Sequence, residues 1–373
     1  MEFTWSEWLK SQLFTTPLLY WRDLSGQTIL ITGGNSGLGL EAAKHLASMN
    51  PQRIIIACRD TKKGDAIKDS LIGTSVEIWP IDLDDFSSVT AFIRRYQKSG
   101  YDLDIFLSNA GVGHSTFNVT RDGHESTVSD SCRIQTNHLS NTLLILGLLP
   151  VLRQTAEKKG QARIAVTSSE MHLLTSFVEK KYIDEDLFAA LADRDKCTTA
   201  LNTERYGVSK LFQVYTVNEL APLLSKDKIA IHSFTPGLCH SDIARLQSPL
   251  MQKVDYALRT LLGRSAEVGS RTLVHVCVHE SLRTDAGPNG RYFTDCRERG
   301  MPLMGIEIRT NRQGRDRQVG GKVVKQSVQL LMKYAPDIVR ESVEGGQEEI
   351  TMDADVTSIY IPESIFHVIT AEQ

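Results

Sequence analysis

Residues Thr28 to Gly39 read Thr-Ile-Leu-Ile-Thr-Gly-Gly-Asn-Ser-Gly-Leu-Gly, and this stretch decides how the chain folds. The apolar run Thr28–Ile31 is typical of a strand that is buried on both faces. The glycines that follow let a strand turn sharply into a helix and bring bare backbone close to a ligand. The first turn of that helix then directs unpaired N–H groups and the positive end of its dipole at an anion. The stretch therefore predicts a dinucleotide site.

Apolar runs of this kind recur along the chain, with helical patterns between most of them. They are Arg53–Ala57, Val76–Ile81, Leu103–Leu107, Ile164–Thr167 and Ile229–Phe234, with Arg291–Thr294 as a last candidate. Such alternation is the signature of a parallel sheet that is covered on both faces by helices. We therefore predict the α/β class, with a doubly wound parallel sheet in a single main domain over residues 25–300.

Two further segments flank this domain. Residues 1–24 read as an amphipathic helix, which either packs on the body or touches a membrane surface through its tryptophans. Residues 301–373 form a C-terminal extension with one docked helix and an acidic tail. The helix is predicted over 322–335, where Val324, Val328, Leu331 and Ala335 share a face, and Pro336 is expected to end it.

Composition excludes several classes of function. A formal net charge of -3 leaves no basic excess to neutralise the phosphates of a nucleic acid. No apolar run approaches the ~20 residues that span a bilayer, so no transmembrane segment is predicted. Six cysteines without a Cys-x-x-Cys pair fit neither a disulfide framework nor a zinc site. They indicate reduced thiols, a cytoplasmic location and no bound metal.

The stretch Tyr206-Gly-Val-Ser-Lys210 lies in a segment of good helical composition, so its tyrosine and lysine share one face. An ammonium beside a phenol favours the phenolate and allows proton exchange with an alcohol or a carbonyl near neutral pH. Ser168 and Ser169 end one predicted strand, and Asn109 ends another. These strand ends lie at the carboxyl edge of a parallel sheet, where ligands bind in open α/β folds.

This set of residues resembles the short-chain dehydrogenase/reductases over roughly residues 25–296, and it implies a Rossmann-like catalytic domain. Thr32–Gly39 looks like the family's Thr-Gly-x-x-x-Gly-x-Gly motif, Asn109-Ala-Gly its Asn-Ala-Gly, and Tyr206-x-x-x-Lys210 its active-site pair. Asn137 is similar to its helix asparagine, which anchors a water and the lysine in a proton relay. Pro236-Gly237 resembles its nicotinamide loop.

The resemblance implies a role for each of these residues. Tyr206 would act as general acid toward a ketone and as base toward an alcohol, while Lys210 would lower its pKa and hold the nicotinamide ribose. Ser169, at the family's catalytic serine, would orient the substrate oxygen; Ser168 stays open as an alternative. The implied cofactor-binding residues are Gly33, Asn35, Ser36, Gly37, Leu38, Gly39, Arg59, Lys62, Asp82, Asn109, Tyr206, Lys210, Pro236, Gly237 and Ser241.

The end of the second predicted strand favours NADP(H) over NAD(H). An NAD site wants a carboxylate there for the adenosine ribose, whereas an NADP site must neutralise a 2′-phosphate. In this chain Arg59 is the first charged residue after the strand and comes before Asp60. We expect Arg59 to bind the phosphate, with Lys62 or Lys63 assisting it. Asp82 resembles the family's aspartate that contacts the adenine.

Ser169 and Tyr206 are 37 residues apart, which is longer than in the shortest family members. The extra residues resemble the loop of retinol-dehydrogenase-like and fungal biosynthetic members, where it lies near the active-site mouth. After Pro236-Gly237 a leucine-rich segment either covers a bulky apolar substrate or packs on the core. Its members are Leu246, Leu250, Met251, Val254, Leu258, Leu261 and Leu262.

Together these features predict NADP(H)-dependent interconversion of a carbonyl and an alcohol on a hydrophobic small molecule. For a fungal source, the resemblance favours a tailoring step in secondary-metabolite biosynthesis. The alternative is a catalytically silent NADP-binding sensor or scaffold. Family members often assemble, so a homodimer and a homotetramer both stay open.

Overall fold

The computed structural model describes residues 5–113, 134–193, 199–240, 256, 258–299 and 315–344. Within them, eight strands form one sheet. The strands are β1 (Thr28–Thr32), β2 (Arg53–Cys58), β3 (Ser75–Pro80), β4 (Ile105–Ser108), β5 (Ala162–Thr167), β6 (Ile229–Thr235), β7 (Tyr292–Thr294) and β8 (Arg297–Arg299). Their order across the sheet is β3-β2-β1-β4-β5-β6-β7-β8. The first seven pair in parallel, which confirms the predicted α/β class. The short antiparallel β8 at the edge was not predicted.

The order of the strands reverses at β1. The chain proceeds from β1 outward to β2 and β3, and then returns to place β4 on the other side of β1. Thr32 of β1 lies opposite Ala57 of β2, and Ile31 lies opposite Leu107 of β4. At such a reversal the loops after the two central strands diverge and leave a crevice at their carboxyl ends. The glycine turn and Asn109 both border this crevice.

Helices cover both faces of the sheet. They are α1 (Trp5–Phe14), α2 (Gly37–Ala47), α3 (Thr61–Asp65), α4 (Phe86–Lys98), α5 (Ser140–Lys159), α6 (Leu187–Ala192), α7 (Thr199–Lys226), α8 (Ala266–Val278), α9 (Arg315–Tyr334) and α10 (Pro336–Glu344). On one face α2 and α8 pack together through residues such as Leu46 and Val274. On the other face α4, α5 and α7 bury a larger cluster that includes Phe92 and Phe212.

The C-terminal extension contributes two helices to that larger cluster. The predicted apolar face of α9 is confirmed, since Val324, Val328, Leu331 and Ala335 are all buried. Burying each valine or leucine contributes about 1.5–3 kcal/mol to the transfer free energy that favours folding. Helix α9 ends at Tyr334, before Pro336, as predicted, although it begins at Arg315 and not at 322. The extension has two docked helices where one was predicted, because Pro336 also suits the first position of a new helix. It opens α10, whose Ile338 packs into the same cluster. The residues predicted as an acidic tail lie outside the described residues from 345 onward.

The long connection between β5 and α7 packs into this cluster as well. Phe177 and Phe188 lie against Phe212 of α7, with ring centroids 5.2 and 6.2 Å apart. The Gln326 amide of α9 accepts from the Leu187 N–H and donates to the Ile183 carbonyl. The connection that follows Ser169 therefore packs against the C-terminal helix α9.

The N-terminal helix packs on the body through polar contacts. Helix α1 spans Trp5–Phe14, which is shorter than the predicted 1–24. Its Trp8 indole donates to the Glu170 carboxylate at 2.6 Å, and its Gln12 amide bonds the backbone near residues 238 and 262. Among its apolar side chains, Phe14 is 83% exposed and Trp5 is 59% exposed. Hydrogen bonds of Trp8 and Gln12 therefore hold α1 on the body.

No helix among the described residues combines the length and the apolar character that crossing a membrane requires.

Candidate active site

The glycine turn packs closely at Gly39 and borders open space at Gly37. Gly33 and Gly37 have φ angles of +68° and +54°, which glycine adopts at little cost. A Cβ on Gly39 would lie 2.3 Å from the Gly33 carbonyl oxygen, so the first turn of α2 packs directly on the preceding loop. A Cβ on Gly37 would meet nothing within 4 Å, so this position borders open space. Ser36 caps α2 without a side-chain hydrogen bond to it.

Asn109 fastens the end of β4 to this turn. Its side-chain amide donates to the carbonyls of Thr32 and Gly33 at 3.1 and 3.3 Å. Its backbone N–H donates to the Thr32 hydroxyl at 3.0 Å. These bonds hold the two loops that border the crevice at a fixed separation. Asn109 thus acts on the turn by positioning its backbone.

Lys210 is buried at the carboxyl edge of the sheet. Only 2% of the residue is exposed, and its Nζ donates to the Thr167 carbonyl at 2.9 Å and to the Gln213 Oε1 at 3.0 Å. Nζ lies 5.8 Å from the centroid of the Tyr206 ring, one helical turn back. Burial lowers the pKa of the Lys210 ammonium to about 7, because the charged form loses hydration. The predicted pair is thereby brought together with its cation beside the phenol.

Asn137 lies in a π-helical segment, Gln135–Leu139, directly before α5. Its side chain exchanges two hydrogen bonds with the Val112 backbone, accepting from N–H at 2.8 Å and donating to the carbonyl at 3.0 Å. It also donates to the Ser209 hydroxyl at 3.0 Å, which itself donates to the Tyr206 carbonyl. Such π-helical turns are frequent at functional sites. Asn137 therefore connects the β4 loop to the helix that carries Tyr206 and Lys210.

Gln213 is a site residue that the sequence reasoning missed. Its Oε1 accepts from Lys210 Nζ, and its Nε2 donates to the Asn137 backbone carbonyl. The resemblance implies a water that joins these two groups, and here a side-chain amide joins them. Helical spacing puts Gln213 next to Lys210, because residues three apart on a helix are neighbours. Its contact with Asn137 has no signal in the local sequence.

The two serines that end β5 point in different directions. The Ser168 hydroxyl is buried and donates to the Lys210 carbonyl at 3.0 Å. Ser169 is half-buried, and its hydroxyl accepts from the Met171 N–H at 3.3 Å. A Cβ on Gly207, next to Tyr206, would lie 2.8 Å from the Met171 carbonyl oxygen. The segment after Ser169 is therefore in close backbone contact with the helix that carries Tyr206.

The end of β2 has a different character, since its charged side chains are exposed. The Arg59 side chain is 64% exposed and makes one long ion pair with Asp84, at 3.7 Å. Lys62 is also exposed. Asp60 caps α3 by accepting from the Lys63 N–H at 3.0 Å. Asp82 accepts from the Asp84 N–H at 3.1 Å, which forms a turn beyond β3. Asn35 donates to the Asp60 carbonyl at 3.3 Å.

The loop after β6 also lies at the carboxyl edge of the sheet. Gly237, after Pro236, has a φ of +76°, and a Cβ there would lie 3.0 Å from Gln12 Oε1 and 3.2 Å from an Arg264 guanidinium nitrogen. The His240 N–H donates to the Arg264 carbonyl, and the Arg264 N–H donates to the Leu238 carbonyl, each at 2.9 Å. Ser241 and most of the predicted lid lie outside the described residues.

These features fit a dinucleotide along the carboxyl edge. Side chains are excluded from the inner side of the turn at Gly39, and open space borders Gly37, which suits a pyrophosphate against bare backbone. A Cβ on Gly111 would lie 3.3 Å from Lys210 Nζ, so the β4 loop also keeps its backbone close to the lysine. Among the described residues, no group of three or more His, Cys, Asp or Glu side chains is arranged to hold a metal ion.

Comparison with known proteins agrees with this geometry. The family model for short chain dehydrogenases matches residues 27–183. The short chain dehydrogenase atnD of Emericella nidulans is 36% identical over 283 residues, which cover 73% of this chain and 84% of that protein. The short chain dehydrogenase/reductase dmxR8 of Cryptosporiopsis sp. is 32% identical over 327 residues, covering 85% and 95%.

Solved structures share the fold. The 3-ketoacyl-(acyl-carrier-protein) reductase from Brucella melitensis, complexed with NADH, aligns with a TM-score of 0.54 at 18% identity, covering 72% of this chain and 96% of that one. RhlG from Pseudomonas aeruginosa, in an NADP complex, aligns with a TM-score of 0.52 at 22% identity, covering 73% and 95%. The site geometry and the curated relatives together lead to one conclusion: this chain belongs to the short-chain dehydrogenase/reductase family of oxidoreductases.

Proposed function

We propose that this protein uses NADP(H) to interconvert a ketone or aldehyde and an alcohol on a hydrophobic small molecule. The observation that carries the proposal is the buried Lys210, whose ammonium is held beside Tyr206 at the edge where the glycine turn opens. A buried lysine with a lowered pKa in a crevice marks a candidate functional site.

Each residue then has a distinct part in the proton chemistry. In reduction Tyr206 donates a proton to the carbonyl oxygen, and in oxidation its phenolate accepts one from the alcohol. The Lys210 ammonium favours that phenolate and has a further N–H for the ribose. Ser169 orients the substrate oxygen, since the Ser168 hydroxyl is directed to the backbone of α7. When bound, the nicotinamide supplies or accepts the hydride.

The proposal of NADP(H) over NAD(H) rests on the end of β2. Arg59 and Lys62 are exposed where an adenosine 2′-phosphate would lie, and guanidinium groups bind phosphate strongly. The nearest carboxylate in the chain, Asp60, is used as the cap of α3. That leaves Arg59 and Lys62 as the exposed charged groups next to the strand end that can meet the 2′-phosphate.

The proposed setting follows from the relatives and the composition. The matched curated proteins are short chain dehydrogenases of fungi, so we propose a tailoring step in secondary-metabolite biosynthesis in the cytoplasm. Leu258 and Leu261, at the described end of the leucine-rich segment, are 44% and 77% exposed. These exposed leucines favour an apolar substrate. We also propose that the protein assembles as a homodimer or a homotetramer.

The experiment is turnover of NADPH with a panel of ketones and aldehydes by the purified protein and by Tyr206→Phe. Loss of the acid should lower kcat by about 10²–10⁴-fold. Tyr101→Phe is the matched control, because Tyr101 contacts Arg53 at the opposite, amino edge of the sheet. Cofactor binding without turnover of any carbonyl or alcohol would instead identify a silent sensor or scaffold.

A further inference from the structure

We propose that Gln213 is a positioning residue that fixes the Lys210 ammonium and sets the pH range in which the Tyr206–Lys210 pair works. This inference deepens the proposed function and rests on it. It assigns a role to a side chain outside the residues that the family motifs mark.

The contacts of Gln213 leave its amide no alternative orientation. Its Oε1 accepts from Lys210 Nζ at 3.0 Å, and its Nε2 donates to the Asn137 carbonyl. Reversing the amide would set its NH₂ group against an ammonium and its oxygen against a carbonyl. Because Gln213 is only 3% exposed, water does not offer either group a substitute partner. The side chain thus joins the lysine rigidly to the π-helical segment.

An amide in this position has a specific chemical consequence. It accepts a hydrogen bond from the ammonium and so favours the charged form, but it carries no formal charge of its own. It also does not gain or lose a proton near neutral pH, so it holds the lysine without titrating. The protonation of the buried Lys210 amine therefore depends on two neutral acceptors, the Gln213 amide oxygen and the Thr167 carbonyl.

Among the described residues, few other groups near Nζ influence its charge. The β5 end offers the Thr167 carbonyl, the π-helical segment offers Asn137, and the β4 loop offers Gly111, all of which are neutral. His138, the next residue of the π-helical segment, bonds Ser327 instead. Among the described neighbours, Tyr206 on the same helix is the titratable group that faces the lysine. Burial is the cause of the lowered pKa of Lys210.

Two substitutions at this position should move the lysine in opposite directions. Gln213→Leu removes the acceptor, so the pKa of Lys210 should fall below its present value of about 7. Gln213→Glu places a carboxylate against the ammonium, so the pKa of Lys210 should rise. Each shift should be about one pH unit, or a tenfold change in the protonation equilibrium. Thr216→Val is the control, because Thr216 is buried on the same helix and its hydroxyl bonds none of the described residues.

The direct measurement is the titration of the Lys210 side chain by NMR in the cofactor-free protein. Lysine labelled at Cε gives the resonance, which Lys210→Met assigns by its disappearance. The Gln213 variants are compared with the parent and with Thr216→Val, each also in a Tyr206→Phe background to remove coupling to the phenol. Opposite shifts for Leu and Glu support the proposal, and a common midpoint for all variants overturns it.

The second measurement is the pH profile of kcat/KM for carbonyl reduction. The productive form carries the Lys210 ammonium, so kcat/KM falls as pH rises through the pKa of the coupled pair. That fall should begin at lower pH in Gln213→Leu and at higher pH in Gln213→Glu. Equal losses at every pH would show a structural role and contradict the proposal. A protein without turnover would contradict the proposed function, while the NMR titration would still decide the role of Gln213.

Discussion

The two ends of the proposed cofactor crevice, a proposed catalytic end and a proposed adenosine end, are built in different ways. At the catalytic end, Lys210, Gln213 and Asn137 form a buried chain of hydrogen bonds that joins α7, the π-helical segment and the β4 loop. At the adenosine end, Arg59 is 64% exposed and makes one ion pair at 3.7 Å. Exposed pairs of this kind contribute about 0–1 kcal/mol.

The difference separates what the fold determines from what single side chains determine. The catalytic end is fixed by groups that would be costly to leave unpaired, at about 1–3 kcal/mol each, so its geometry is a property of the whole domain. At the adenosine end a side chain can change without disturbing the core. Substitutions at the catalytic end should therefore change kcat strongly. Substitutions at the adenosine end should change the preference between NADPH and NADH.

After Tyr206→Phe, the largest effect is expected within the catalytic end, from a matched pair of serines. Ser169→Ala should lower kcat by about 100-fold, because a hydrogen-bond donor to the substrate oxygen is lost. Ser168→Ala removes the bond to the Lys210 carbonyl and should lower the free energy of unfolding by about 1 kcal/mol, with kcat changed far less. Steady-state kinetics and thermal unfolding of both variants give the comparison. A reversed order of the two kcat values would make Ser168 the catalytic serine.

The next effect concerns the adenosine end. Arg59→Asp should raise the KM for NADPH by about 10–100-fold, since a charge-assisted bond to the 2′-phosphate is replaced by repulsion. The KM for NADH should change little or fall, while kcat at saturation stays near that of the parent. Lys98→Asp makes the same change of charge on the last turn of α4, near the amino edge, and is the control. Equal use of both cofactors by the parent protein would contradict the proposed preference.

The same contrast explains how much of the molecule could be predicted from sequence. The seven parallel strands were predictable because buried strands carry an apolar pattern and alternate with helices, as at Thr28–Ile31 and Ile229–Phe234. Tyr206 and Lys210 were predictable because one helical turn separates them. The edge strand Arg297–Arg299 was not, since it is short, polar and defined by pairing with β7.

Gln213 and Pro336 show the limits of local reasoning. Gln213 is an ordinary helix residue in the sequence, and its role arises because the Asn137 carbonyl comes close in the fold. Pro336 follows the end of α9 as predicted, yet it also begins α10, which packs against α5. In both cases contacts between distant segments decide the outcome, and a local pattern carries no information about them.

Removing hydrogen bonds of α1 tests whether the catalytic end keeps its geometry without contacts from that helix. Gln12 accepts from the Leu238 N–H at 3.1 Å and donates to the carbonyls of Leu238 and Leu262 at 2.7 and 2.8 Å. Gln12→Leu removes these bonds to the proposed nicotinamide loop and to the end of the leucine-rich segment. The KM for NADPH should rise about three- to tenfold, which corresponds to roughly one net hydrogen bond.

In the same variant kcat at saturation should change by less than about twofold, because the hydrogen bonds around Lys210 involve none of α1. Lys10→Ala, an exposed position on the same helix, is the control for changes in α1 itself. The measurement is kcat and KM for both variants, with hydrogen exchange of residues 236–240 as a readout of the loop. If kcat fell in parallel with the loss of NADPH affinity, the catalytic end would depend on α1, and the independence of its buried hydrogen bonds would be wrong.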